Sequence, residues 1–177
     1  RGGWGAGGPK RARCSLWAPW AGGGDGLPWS RFYGSHPSLT LGKAVCMINL
    51  GMIGRVREGK ICVGGVGTGS NLRTTLDPIL ARYPLHVDYS DSTGYGSSDH
   101  TSFTTKQVPV LFFFSGLHGD YHKPSDTWDK IDAPDDAKLL DMIAEVGTTL
   151  REDAARPLDV RAKQPGSHHQ GLTGSWS

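Results

Sequence analysis

Cysteine is scarce in this chain, and its spacing limits what the thiols are expected to do. The 177 residues contain three cysteines, Cys14, Cys46 and Cys62, and no two of them form a Cys-x-x-Cys pair. Cys46 and Cys62 fall in predicted neighbouring strands. The default interpretation of both is therefore a free, buried thiol.

Long apolar runs and a strong net charge are also missing. No run approaches the roughly 18 apolar residues that a membrane span needs, and no signal peptide is visible. Lysine and arginine together number 19 against 17 acidic residues. The resulting formal charge of +2 is too small to argue for a nucleic-acid partner. The sequence therefore predicts neither a membrane span nor nucleic-acid binding.

Acidic residues are almost missing from the first 29 positions. This segment holds nine glycines and four of the six tryptophans but one acidic residue, Asp25, and shows neither a helical nor a strand period. Glycine, arginine, alanine, proline and tryptophan are residues that G- and C-rich codons specify. We therefore hypothesise that the segment is a GC-rich gene read in the wrong frame, with the correct frame resuming near Ser30. The alternative is a disordered, glycine-rich arm.

The rest of the chain alternates between short apolar segments and helical patterns, which is typical of an α/β fold. Strands are predicted at 43–50, 60–63, 85–89 and 108–114, and helices at 71–82, 98–106 and 134–152, with an earlier helix ending near Ser35. The strand at 60–63 is expected to lie beside the strand at 43–50. Ser70 is the predicted N-cap of the helix at 71–82. The face of the last helix expected to pack on the sheet consists of Leu139, Ile143, Val146 and Leu150.

A glycine-rich turn at 64–70 separates a predicted strand from a predicted helix, as phosphate-binding loops do. It lacks both the Gly-Lys-Ser/Thr ending and the Gly-x-Gly-x-x-Gly spacing of nucleotide-binding loops. Nucleotide binding is therefore not predicted.

The most informative stretch is 121–127, which follows the apolar strand at 108–114 through Ser115 and Gly116. Open α/β sheets bind ligands in the loops at the carboxyl ends of their strands. His122 lies in this loop, close to a proline and an aspartate, and it is a candidate metal ligand. The alternative is that its ring only hydrogen-bonds within the loop.

Two upstream segments accompany this loop. Residues 94–103 contain the sequence Ser-Asp-His-Thr-Ser-Phe, and residues 44–55 contain a strand ending Met-Ile-Asn-Leu-Gly. In this order and spacing, the three segments resemble the zinc-dependent aminopeptidases of metallopeptidase family twenty-eight, which include bacterial leucyl aminopeptidases. The resemblance runs from about Trp29 to Leu150. It implies a partial three-layer α/β sandwich with a mixed, mostly parallel sheet flanked by helices, whose N-terminal strands are missing or garbled.

The resemblance implies two zinc ions held by two histidines, a bridging aspartate, a glutamate and a further acidic residue, with a second glutamate as general base. His122 matches the last histidine, and Gly51 stands where the further acidic ligand follows the Asn-Leu of the strand. The other ligands and the base would precede residue 35, where no matching motif is present. Because zinc needs three or four ligands, we expect the chain not to bind zinc stably and to be inactive alone.

The resemblance also implies roles for residues around the metals. Asp99 would join the hydrogen-bond network of the centre, with helix N-capping as the alternative. Tyr95 falls where some aminopeptidases keep a tyrosine that stabilises the oxyanion. We expect His118 to be structural and Asp126 to hold the turn through backbone hydrogen bonds. The pocket for the N-terminal side chain of a peptide substrate would be lined by Phe114, Gly116 and Leu117.

These expectations divide the chain into three segments and leave two functional hypotheses. Residues 1–29 form a leader that is unstructured or misread, 30–156 the C-terminal part of an aminopeptidase-like domain, and 157–177 a disordered tail. The first hypothesis is part of a metallo-exopeptidase that removes N-terminal residues from peptides. The second is a non-catalytic homologue that serves as a binding or dimerisation module. Family members are often secreted or periplasmic, but the sequence does not fix the localisation of this chain.

Overall fold

The structure, a computed structural model, describes residues 14–20, 27–89 and 91–152. Its α-helices are α1 (Pro28–Ser35), α2 (Leu72–Leu80), α3 (His100–Thr104) and α4 (Ala133–Glu152). Its strands are β1 (Met47–Gly51), β2 (Lys60–Gly64), β3 (His86–Asp88) and β4 (Val110–Phe114). Short 3-10 helices lie at Leu41–Lys43, Val66–Thr68 and Trp128–Lys130. Each predicted helix and strand is present, with its ends shifted by a few residues.

The four strands form one mixed sheet in the order β1-β4-β2-β3. β1 and β4 are parallel, β4 and β2 are antiparallel, and β2 and β3 are parallel. The predicted α/β class with a mixed, mostly parallel sheet is therefore confirmed. The expected adjacency of the strands at 43–50 and 60–63 is wrong, because β4 lies between them. A continuous apolar strand such as β4 is most stable where both of its faces are covered.

One face of the sheet is covered by α2 and α4. Leu111 and Phe113 of β4 are fully buried on this side, together with residues of both helices. The side-chain period of two along a strand explains why alternate residues of β4 enter this layer. The predicted helical face of α4 is confirmed, since its four members are all buried in the same cluster: Leu139, Ile143, Val146 and Leu150.

The other face is covered by α1 and α3, and it carries a smaller apolar cluster. Phe103, Val108 and Val110 are buried there. Trp20 packs on this cluster, with its ring centroid 5.5 Å from that of Tyr33 and 6.4 Å from that of Phe103. The sheet therefore has helices on both faces, as the predicted three-layer arrangement requires.

Part of the predicted leader belongs to the folded region. Trp20 contacts the smaller cluster, and Pro28 begins α1, where its missing N–H leaves no backbone donor unpaired. Residues 1–13, 21–26 and 153–177 lie outside the described part of the chain. The division at residues 29 and 156 therefore stays a prediction.

The glycine-rich turn after β2 packs closely against β4. Gly65 has φ +81°, and a Cβ there would lie 2.4 Å from the carbonyl oxygen of Val110. A side chain would meet both a steric barrier and an unfavourable backbone conformation, so the position requires glycine. The predicted N-cap Ser70 is wrong: Asn71 precedes α2 and makes no side-chain capping bond. The helix is instead held by the burial of Leu72 and Leu76.

Within the described ranges, the helices are too short or too polar to span a lipid bilayer.

Candidate functional site

The carboxyl ends of β1 and β4 lie side by side at one edge of the sheet. Their last residues, Gly51 and Phe114, are partners in the parallel register. The two loops that leave this edge contact each other at their first residues, where the Ser115 hydroxyl donates a hydrogen bond to the Met52 carbonyl oxygen. The fold therefore brings the segment after position 51 and the segment that carries His122 to the same place.

Gly51 offers no donor atom, and its surroundings are already occupied. A Cβ at this position would lie 2.7 Å from Cε2 and 3.2 Å from Cζ of Phe112, and 3.8 Å from the hydroxyl oxygen of Ser98. Gly51 does not have a positive φ, so the obstacle to a side chain is the Phe112 ring and not the backbone. A larger residue at 51 would require this ring to move.

The Phe112 ring belongs to an aromatic stack beside the strand ends. The ring centroids of Phe112 and His100 are 4.5 Å apart with an interplanar angle of 18°, and those of Phe112 and Phe114 are 5.6 Å apart at 17°. Phe114 was predicted to line a substrate pocket. Its observed contact is the ring of Phe112.

A buried polar network lies below this stack. The side-chain amide of Asn49 donates to the Ser98 hydroxyl at 2.9 Å, and its nitrogen lies 3.2 Å from Nδ1 of His100. Because an amide nitrogen only donates, Nδ1 accepts, and the proton of a neutral ring resides on Nε2. Burial lowers the pKa of His100, while the charges of Asp91 and Asp99 oppose this shift. The network is therefore built around an uncharged imidazole.

The loop after β4 is fastened by charged side chains. The Arg55 guanidinium, from the loop after β1, contacts the carboxylates of both Asp120 and Asp126. The side-chain partner of Asp126 is thus a guanidinium, whereas the sequence predicted backbone hydrogen bonds. The His118 side chain is 4% exposed and its Nε2 lies 3.8 Å from Asp126 Oδ2; its structural role stays a prediction.

The predicted metal ligand His122 lies on the surface of this loop. It is exposed, has φ +53°, and its ring centroid is 4.0 Å from that of Tyr121. Of the predicted pocket residues, Gly116 has φ +97° and Leu117 is 64% exposed. The metal and pocket roles of these residues stay predictions.

The two residues predicted near the metals precede α3 or lie at its start. Asp99 occupies the N-cap position of α3, but its side chain makes no capping bond. It adjoins Ser98 and His100, which both contact Asn49. Tyr95 lies in the loop before this helix and is 36% exposed. The roles of Asp99 in a hydrogen-bond network and of Tyr95 at an oxyanion stay predictions.

The residues present do not fit the two-zinc centre that the resemblance implies. Gly51 has no side-chain oxygen, and the described residues contain no group of three or more His, Cys, Asp or Glu side chains that could hold a metal ion. Zinc sites in proteins need three or four such ligands. No reaction step that uses a metal is therefore assigned to this chain.

Three residues of the site are not predicted from the sequence. Asn49 lies two residues before Gly51 and therefore on the same face of β1, so the strand period alone could have placed it near the site. Phe112 could have been placed in the same way from Phe114. Arg55 carried no such signal, because its two partners lie 65 and 71 residues further along the chain.

The sequence comparison identifies the family. The chain matches the model of Peptidase family M28 over residues 20–147, and it therefore belongs to this family. The predicted membership is confirmed. Among curated protein sequences, none matches the chain.

Solved structures of aminopeptidases share the fold. LapA of Legionella pneumophila has a TM-score of 0.58 and 22% identity, over 72% of this chain and 37% of that one. An aminopeptidase from Aneurinibacillus sp. strain AM-1 has a TM-score of 0.54 and 27% identity, over 76% and 32%. BSAP, a zinc aminopeptidase from Bacillus subtilis, has a TM-score of 0.57 and 19% identity, over 74% and 34%. The matched region spans about a third of the length of each of these proteins.

Proposed function

We propose that the chain is the C-terminal part of the catalytic domain of a metallo-aminopeptidase, which in its intact form hydrolyses N-terminal peptide bonds. The observation that carries the proposal is the pairing of Gly51 with Phe114 at one sheet edge. This pairing brings together the loop that carries His122 and the position where relatives are expected to hold an acidic ligand. Membership of a peptidase family supports the same conclusion.

We further propose that this chain alone is catalytically inactive. Gly51 lacks a ligand atom, and no motif for the other three ligands precedes residue 35, so His122 is the one expected zinc ligand that remains. A single imidazole cannot satisfy the coordination that zinc requires. Without bound zinc, the other predicted site residues take no part in a reaction. They are Tyr95, Asp99 and the pocket residues Phe114, Gly116 and Leu117.

A non-catalytic role is the second candidate, and one surface feature favours it. The segment after β4 exposes large apolar side chains, among them Leu117, Tyr121 and Trp128, of which Trp128 is 84% exposed. Contiguous exposed apolar patches mark protein–protein interaction sites, so these side chains favour a binding role. A binding or dimerisation module would use this surface and would need no metal.

Zinc titration by calorimetry tests the main proposal. The chain as it stands is compared with a version that carries Gly51→Asp and the N-terminal half of a family member with the remaining ligands. We expect no tight zinc binding by the chain, and zinc binding with release of N-terminal residues from peptides by the restored version. Tight binding by the chain alone would overturn the inactivity proposal. A restored version that binds zinc but leaves peptides intact would overturn the aminopeptidase proposal.

Sedimentation separates the second candidate from the first. A dimerisation module sediments as a dimer in which Trp128→Ala weakens association. An inactive part of a peptidase is expected to show no such dependence on Trp128.

A further inference from the structure

Arg55 joins the loops that follow two adjacent parallel strands. Its Nη2 lies 3.2 Å from Asp120 Oδ2 and also contacts Asp126 Oδ1. The side chains of Arg55, Asp120 and Asp126 are 13%, 23% and 41% exposed, so the contact with Asp120 is the better shielded of the two. Charge-assisted hydrogen bonds of this kind are shorter and stronger than neutral ones, and a guanidinium can serve two carboxylates at once.

A second cation, Lys130, contacts the same loop from its C-terminal side. Lys130 Nζ lies 2.9 Å from Asp120 Oδ1 and donates to the Ser125 carbonyl oxygen at 2.7 Å. Lys130 and Arg55 contact different oxygens of the Asp120 carboxylate, so two cations hold this side chain in place.

The two carboxylates that Arg55 contacts lie on either side of His122 in the sequence. His122 adopts φ +53°, a conformation that non-glycine residues take rarely and keep only when their surroundings determine it. The backbone N–H of Lys123 donates to the Asp120 carbonyl oxygen at 2.9 Å, which closes a tight turn over His122. Asp120 and Asp126 thus fix the chain on both sides of a strained residue.

Metal binding is commonly coupled to folding, because a metal site rarely exists preformed in an unfolded chain. Here the ordering contacts are ion pairs between protein groups. We propose that Arg55 is a positioning residue, which holds the loop at 117–126 and the left-handed backbone of His122 in place without a metal ion. The importance of this loop for peptide hydrolysis rests on the proposed function. The claim that Arg55 keeps the loop ordered is independent of the proposed function.

Hydrogen exchange measured by mass spectrometry tests this role in the full chain. Arg55→Gln removes both ion pairs. Arg82→Gln is the matched control, because it removes one arginine that follows α2 and pairs with Glu145 of α4. For Arg55→Gln we expect exchange in residues 117–126 to rise roughly tenfold or more, while exchange in α4 stays unchanged. Arg82→Gln should leave the loop as it is.

Two further measurements separate positioning from general stabilisation. Arg55→Lys keeps the charge but not the planar fork, so it should recover the slow exchange only in part. The one-bond Cα–Hα coupling of His122, which reports the sign of φ, should change in Arg55→Gln and not in Arg82→Gln. If Arg55→Gln does not fold, Asp126→Asn, which removes one of the two pairs at a more exposed position, is expected to give the same localised increase.

Treatment with a metal chelator tests the opposite explanation, in which a bound metal orders the loop. If chelation of the unmodified chain raises exchange in the loop, the loop is ordered by a metal and the proposal is overturned. It is overturned equally if Arg55→Gln leaves the loop unchanged or accelerates exchange evenly along the chain. None of these results depends on peptide hydrolysis, so a failure here is distinguishable from a failure of the proposed function.

Discussion

The ring of Phe112 lies where a side chain at position 51 would begin, because a Cβ on Gly51 would be 2.7 Å from its Cε2 atom. The ring stacks with those of His100 and Phe114. The glycine and the ring therefore depend on each other. Restoring an acidic residue at 51 is more than a change of one ligand, since it also displaces an aromatic stack.

This contact predicts a measurable coupling between the two positions. Gly51→Ala is expected to lower the free energy of unfolding by about 1–3 kcal/mol, because the added methyl group forces the ring to shift. In a Phe112→Leu background the same change should cost clearly less. Gly42→Ala is the control, since nothing lies within 4 Å of a Cβ there, and it should stay within about 0.5 kcal/mol. Urea unfolding measures the free energy for Gly51→Ala, Phe112→Leu, the double variant and Gly42→Ala. If the losses of stability at 51 and 112 simply add in the double variant, the contact is contradicted.

The buried imidazole of His100 predicts a pH dependence of stability. Burial lowers its pKa below 6.5, so between the folded pKa and about 6.5 the unfolded chain binds the proton more readily. The free energy of unfolding should therefore fall as the pH is lowered through this window. In His100→Gln this part of the pH dependence should disappear, whereas the exposed control His86→Gln should keep it. Identical pH profiles for the parent and His100→Gln in urea unfolding would refute the assignment.

The thiols are expected to differ in reactivity. Burial raises the pKa of Cys46 to about 12, so at pH 8 almost none of it is the reactive thiolate. Cys14 is exposed. A thiol reagent followed by peptide mass spectrometry should modify Cys14 in the folded protein and Cys46 only after denaturant is added. Equal labelling of the two in the folded protein would show that Cys46 is accessible.

Two neighbouring leucines of α4 test how this helix packs. Leu139 is fully buried and Leu140 is 46% exposed. Leu139→Ala should lower the free energy of unfolding by about 2–5 kcal/mol, because it opens a cavity against the sheet. Leu140→Ala should change it by no more than about 0.5 kcal/mol. Similar losses from both substitutions would mean that a different face of α4 is buried.

Metal removal is expected to have no effect on stability. The described residues contain no group of three ligands, and only a ligand that binds the folded state raises the thermal midpoint. The midpoint measured by circular dichroism should therefore be the same with a chelator as with added zinc. A midpoint that falls with the chelator and recovers with zinc would reveal a metal bound to the folded chain.

The sequence predicted the elements whose signal is local. The helical spacing of Leu139 to Leu150 identified the buried face of α4, and the apolar run ending at Phe114 identified β4. The order of the strands could not be predicted from local signals. It depends on which apolar strand is covered by helices on both of its faces. The antiparallel pairing of β2 with β4 therefore came only from the structure.

The site shows the same limit more sharply. His122 and Gly51 were found from the resemblance of short segments, but the contacts that organise them join distant parts of the chain. Asn49 meets its partners Ser98 and His100 across 49 and 51 residues. Polar residues on strands and loops are common and mostly solvated, so such pairs have no distinctive pattern in one sequence.

The position of β1 at the margin of the sheet has a practical consequence. β4 occupies one side of it, and no described strand occupies the other. Its residues Met47–Gly51 include neither charge nor proline, the usual deterrents against unwanted pairing. The backbone N–H and C=O groups on its open side can pair with a strand of another molecule and extend the sheet. Concentrated samples are therefore expected to self-associate through β1.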